Sequence, residues 1–217
     1  IDTAKAISVL AANGGKMRDY KVPNPIPKQG LPLLAIPTTA GTGSEVTIVA
    51  VVSDPETHSK AAVIDPRLVP TAAALDPTLM TGMPKPITAA TGMDALTHNV
   101  ESYLSPAYHP LCDGIALEGL RIGARALTDA VREPGNLAAR ADMLMSSMMG
   151  AIAFQKDLGS VHACAHALGA VCDLHHGLAN ALMIDTVLAW NHEAVPAKSD
   201  ELAHAARLST MGQMATE

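Results

Sequence analysis

From about residue 86 to residue 191 the apolar side chains of this chain recur at the 3.6-residue period of an α-helix, with few interruptions. The runs fall near 86–104, 110–131, 135–156, 160–171 and 177–191, punctuated by Gly169, Gly177 and several prolines. The preceding residues read differently. A helical pattern over 4–13 stops at Gly14-Gly15, and a Pro-rich loop runs from Val22 to Pro32. Short apolar runs then suggest strands at Leu33–Ile36, Val46–Val52, Ala61–Ile64 and Ala72–Leu75. The pattern predicts an α/β part over residues 1–83 followed by an all-α part over 84–217. There are no internal repeats and no low-complexity segments.

Composition says how such helices must pack. Apolar residues make up 48% of the chain but aromatics only 2%, so Ala, Val, Leu, Ile and eleven methionines have to fill the core. Small side chains let helix axes approach closely. Met143, Met145, Met148 and Met149 are expected in that core, and 145, 148 and 149 share one helical face. Cys112, Cys164 and Cys172 form no C-x-x-C pair. Their odd number fits the reduced thiols of a cytoplasmic protein, buried as small hydrophobes. The net charge of −6, with no basic run, argues against a nucleic-acid partner. No apolar stretch is long enough to span a membrane. The chain opens on Ile1 in the middle of a helical pattern, without an initiator Met or a signal-peptide pattern, as a fragment or a processed piece would.

The chemistry-bearing residues are mostly histidines, nine in all. His98 follows Asp94 by four residues on a predicted helix, so the two side chains lie one turn apart on one face. His162 and His166 have the same spacing, and His175-His176-Gly177 follows. A lone Asp-x-x-x-His is usually a surface ion pair. Two such pairs on separate helices make a metal site the better reading, and spacing alone would join His162 with His166. A nitrogen-rich donor set with one carboxylate suits Fe²⁺, Zn²⁺, Co²⁺ or Ni²⁺ better than Mg²⁺ or Ca²⁺. A second motif, Pro37-Thr38-Thr39-Ala40-Gly41-Thr42-Gly43-Ser44-Glu45, follows the strand at 33–36. Its glycines and hydroxyls would let the backbone approach a phosphate or ribose closely. A plain Gly-rich turn is the competing reading.

Taken together, 37–47, Thr91-Gly92-Met93-Asp94-Ala95-Leu96-Thr97-His98, His162–Gly169 and His176-Gly177-Leu178-Ala179-Asn180-Ala181 resemble the iron-dependent (group III) alcohol dehydrogenases. The opening Asp2-Thr3-Ala4-Lys5-Ala6 resembles the family segment just after its Gly-rich phosphate turn. The resemblance implies a dehydroquinate synthase-like architecture. In it 1–83 is part of a dinucleotide-binding domain and 84–217 a helical, metal-binding catalytic domain. It implies Asp94, His98, His162 and His176 as ligands of Fe²⁺, with Zn²⁺ or another divalent transition metal as substitutes. His166 becomes a catalytic, non-ligating residue, which overrides the spacing argument. Thr38, Thr39, Thr42, Gly43, Ser44, Val51 and Lys60 would contact NAD or NADP. The implied activity is hydride transfer between a small alcohol and the nicotinamide, in a cytoplasmic homodimer or larger homo-oligomer. His175 and Asp185 stand where many members have Pro. His58, His109, His192 and His204 match no motif and are expected on the surface or in loops. Two other functions compete: a dehydroquinate synthase-like carbon–oxygen lyase, and a metal-binding piece without a complete nucleotide site.

Overall fold

The computed structural model describes residues 1–54 and 59–207, with the side chains of 53, 54 and 59–61 left aside. Lys60, expected at the nucleotide site, and His58 therefore lie outside the described side chains. The chain divides into two compact units. One comprises Ile1–Pro37 and Ser44–Leu75; the other comprises Thr38–Gly43 and the chain from Asp76 onward.

The first unit is built on α1 (Asp2–Asn13), whose inner face carries Lys5, Ala6 and Val9. That face packs with Met17, Ile26, Ala50, Val63 and Leu68 in one apolar cluster. Strands β1 (Leu34–Ala35) and β4 (Ala72–Ala73) form a parallel pair, and β2 (Val49–Asp54) and β3 (Ser59–Ile64) an antiparallel one. Two polar ties close the unit. The Lys5 ammonium is buried and donates to the carbonyls of Thr47 and Val49, both at 2.8 Å. Burial draws its pKa down to about 8, against the opposing pull of Asp2 and Glu45. The Asp2 carboxylate accepts from the Ser44 hydroxyl and from the Val51 N–H, the latter at 2.9 Å.

The second unit is helical: α2 (Lys85–Leu104), α3 (Pro110–Arg132), α4 (Leu137–Ala153), α5 (Ser160–Cys172), α6 (His176–Ala194) and α7 (Pro196–Ala205). Helix α2 is central, buried continuously from Thr97 to Tyr103. Its neighbours come close because the facing residues are small. Asn99 on α2 donates to the Ser146 carbonyl of α4 at 3.0 Å, and the Ser146 hydroxyl donates to the Gly119 carbonyl of α3 at 2.8 Å. Helix starts are capped locally. The His109 ring accepts from the Cys112 N–H, and the Asn136 side chain from the Ala139 N–H at 3.1 Å. Among the described residues no helix is long and apolar enough to cross a membrane.

The order of an α/β part and then an all-α part is the expected one, and five of the helices match the periodic runs. The sequence pattern missed α7, whose buried residues are only Ser199, Leu202 and Ala203. So short a stripe carries little periodicity. It is held by Lys198, which donates to the Tyr103 carbonyl at 2.7 Å and lies over the Tyr103 ring. Two expectations about the core need correcting. On helix α4, Met143 is buried as expected, but Met145 is 41% exposed, because the small residues Ser146, Ser147 and Gly150 claim the close-packed face. Of the cysteines only Cys112 is buried; Cys164 is half-buried and Cys172 exposed at the end of α5.

The segment 38–43 belongs to the helical unit through contacts that exclude a side chain at Gly43. Its φ is +56°, and a Cβ there would lie 2.1 Å from Ala151 Cβ and 2.9 Å from the Ser147 carbonyl oxygen. Gly43→Ala should destabilise this unit by about 2–4 kcal/mol, from left-handed backbone strain plus overpacking. The check is urea unfolding followed by circular dichroism. Adding Ala151→Gly should relieve the clash with Ala151 and leave the backbone strain and the clash with the Ser147 carbonyl.

Candidate metal centre

Helix α2 places Asp94 and His98 one turn apart, both buried. The start of α5 supplies His162 and the first residue of α6 supplies His176. The start of α6 can come this close because Gly177 has no side chain: a Cβ there would lie 2.0 Å from the Ala90 carbonyl oxygen of α2.

The three imidazoles converge on Asp94 Oδ1. His162 Nε2 and His176 Nε2 are each 3.4 Å from it, and His98 Nε2 is 3.8 Å away. Donor atoms of Asp94, His162 and His176 all lie within 4.8 Å of one another, so these three could hold one ion. His98 stands outside that triad. Its ring stacks on that of His162, with centroids 4.5 Å apart and planes 14° apart, and the Phe154 ring packs beside it at 4.8 Å.

Partners on the far side of each ring settle which nitrogen faces inward. His98 Nδ1 lies 3.2 Å from the Gly41 carbonyl oxygen, and His162 Nδ1 lies 2.6 Å from Glu101 Oε2. Both partners only accept, so each Nδ1 carries a proton and each Nε2 points to the Asp94 side. Asn180, one turn along α6 from His176, donates to Asp94 Oδ1 at 2.7 Å.

Burial alone would raise the Asp94 pKa, but the facing His98, His162 and His176 outweigh it and hold it at about 2. Burial lowers His98 to about 4, only partly opposed by Asp94, so its ring is neutral. Burial also works against a charged His162, yet hydrogen bonds to Asp94 and Glu101 raise it to about 9. Glu101 is pulled the other way: desolvation is overcome by His162 and by backbone N–H groups, and its pKa falls. A buried carboxylate and three imidazoles form a donor set that fits a divalent transition metal.

His166 does not join the cluster through spacing with His162. Its ring centroid is 6.4 Å from that of His162 and 4.9 Å from that of His176, and the residue is exposed. In the Gly-rich loop Thr38 and Thr42 are exposed, Thr39 is half-buried, and Gly43 packs on α4. Ser44 and Val51 are both tied to Asp2. Three participants escaped the reading of the sequence: Glu101, Asn180 and the Gly41 carbonyl. Two carried a signal. Glu101 extends the Asp94/His98 face by a further turn, at i+7, and Asn180 is at i+4 from His176. A backbone carbonyl leaves none.

The chain has clear relatives. The Fe-containing alcohol dehydrogenase C-terminal profile matches residues 88–217, and the iron-containing alcohol dehydrogenase profile matches residues 1–77. The chain belongs to the iron-containing alcohol dehydrogenase family. It is 43% identical over 198 residues to alcohol dehydrogenase 4 of Saccharomyces cerevisiae, which covers 91% of this chain and 52% of that protein. It is 41% identical over 208 residues to the NAD-dependent methanol dehydrogenase of Bacillus methanolicus, covering 95% and 54% respectively. Among solved structures, the sulfoacetaldehyde reductase of Bifidobacterium kashiwanohense in complex with NAD⁺ superposes with a TM-score of 0.93 at 33% identity. That match covers 99% of this chain and 58% of the other. The chain thus spans about half the length of the relatives it matches.

The proton on His162 predicts how metal uptake depends on pH. A metal needs the unprotonated Nε2, so below about 9 binding must expel that proton. Apparent affinity should therefore rise as pH climbs toward 9, with net proton release. Calorimetric titration of Zn²⁺ in buffers of different ionisation enthalpy measures both.

Proposed function

We propose that this chain serves a metal-dependent, NAD(P)-dependent dehydrogenase interconverting small primary or secondary alcohols with their aldehydes or ketones. The convergence of three imidazoles on the buried Asp94 carboxylate carries this reading. Asp94, His98, His162 and His176 are assigned as metal ligands, with Fe²⁺ the expected ion and Zn²⁺ a workable substitute. When bound, the ion supplies a Lewis acid for the alcohol oxygen, and the nicotinamide takes the hydride. The residues do the positioning. Gly41 and Asn180 fix His98 and Asp94. Thr38, Thr39, Thr42, Gly43, Ser44, Val51 and Lys60 are assigned to the dinucleotide. The exposed His166 imidazole beside His176 is assigned to carry away the hydroxyl proton. The alcohol loses a hydride to the nicotinamide and a proton to solvent, leaving the carbonyl product.

The arginines favour this reading over a carbon–oxygen lyase acting on a phosphorylated substrate. Arg121 pairs with Glu118, Arg125 pairs with Asp142, and Arg140 is buried against Thr88. None of the three is gathered at the histidines. The free thiols of Cys112, Cys164 and Cys172 support a cytoplasmic location, and a homodimer or larger homo-oligomer rests on the family resemblance.

Two measurements test the assignment. His162→Ala and His176→Ala should each lose bound metal and activity together, whereas His166→Ala should keep the metal and turn over about 10²–10⁴ times more slowly. Metal content by elemental analysis and NAD(P)H formation on a panel of short alcohols, methanol included, provide the readouts. Full metal loading without turnover on any alcohol, with either dinucleotide, would overturn the dehydrogenase reading in favour of a metal-binding piece alone.

A further inference from the structure

Glu101 does more than fill space behind the cluster. It is 3% exposed, on the face of α2 that carries Asp94 and His98. Its two oxygens accept from three donors at the start of α5: the Val161 N–H at 2.6 Å, the His162 N–H at 3.2 Å and His162 Nδ1 at 2.6 Å. Room for the carboxylate depends on Gly159, where a Cβ would lie 2.6 Å from Glu101 Oε1. One side chain therefore caps helix α5 and grips the ring that this helix delivers.

We propose that Glu101 is the positioning residue of the metal centre, fixing His162 in the tautomer and ring orientation that present its Nε2 lone pair beside Asp94. The proposal rests on the metal reading above. A carboxylate can only accept, so Nδ1 must donate and Nε2 is left to bind the ion. The other anchored ring, His98, has a neutral carbonyl in the same role, from Gly41. His162 is thereby the more basic donor. Asp94 and Glu101 together also supply two negative charges, matching a divalent ion in a buried site.

Glu101→Gln separates positioning from capping. With the amide oxygen on the Val161 N–H, the shorter of the two capping bonds survives and only the 3.2 Å bond from the His162 N–H is lost. The amide nitrogen can only donate toward Nδ1, which favours the tautomer with the proton on Nε2. Co²⁺ titration of the full chain, stripped with chelator and followed by visible absorption, should show affinity falling by about 10–100-fold and an altered ligand-field spectrum. Helix content of the stripped protein should stay unchanged. Unchanged affinity and spectrum in Glu101→Gln would overturn the proposal. His162→Ala, titrated alongside, distinguishes the two failures. If it binds Co²⁺ like the unsubstituted chain, the ligand assignment falls, and the proposal with it. If it loses Co²⁺ while Glu101→Gln does not, only the role of Glu101 falls. Should Glu101→Gln not fold, long-range ¹H–¹⁵N spectra of the unsubstituted Zn²⁺-loaded chain decide. A proton on His162 Nδ1 is expected, and its absence overturns the proposal.

Discussion

A carboxylate buried in the middle of a helix is costly unless something pays for its charge, and in the helical unit that carboxylate is Asp94. Everything that compensates it comes from a different place in the chain: His98 from its own helix, His162 from the start of α5, His176 and Asn180 from the first turns of α6. Side chains from helices α2, α5 and α6 thus meet at a single oxygen atom.

That arrangement explains the local glycines and the scarcity of aromatics. Helices brought together around a polar centre a few ångströms across must approach closely, and large rings would hold them apart. The one Phe of the chain is spent beside the His98 ring. Gly177 admits the Ala90 carbonyl, and Asn99 threads hydrogen bonds between α2 and α4 where a bulkier side chain would not fit.

Periodicity revealed most of the architecture, because helices long enough to repeat their apolar face several times announce themselves. It failed at α7, too short to repeat, and on α4 it found the helix but misplaced Met145, where serine and glycine face the neighbours instead. At the centre, the Asp94/His98 pair was visible from its i, i+4 spacing. The same rule also joined His162 with His166, which sit in different surroundings. Sharing a helix face does not decide which of two rings reaches the interior, and here one is buried while the other faces outward. Glu101 went unnoticed because a glutamate on a helix ordinarily reads as solvated surface; only the burial of α2 on several sides gives it its partners. The Gly41 carbonyl was beyond any reading of side chains.

The hold of Gly41 on His98 also bears on how such a protein can be taken apart. The segment from Thr38 to Gly43 belongs structurally to the helices, although more than thirty residues separate it from the rest of that unit in the chain. A cut at the obvious boundary before Asp76 would give a helical piece whose His98 has lost its anchor and whose α4 has lost the loop seated on Ala151. Gene fission or domain shuffling at that seam would break the centre without touching a single imidazole.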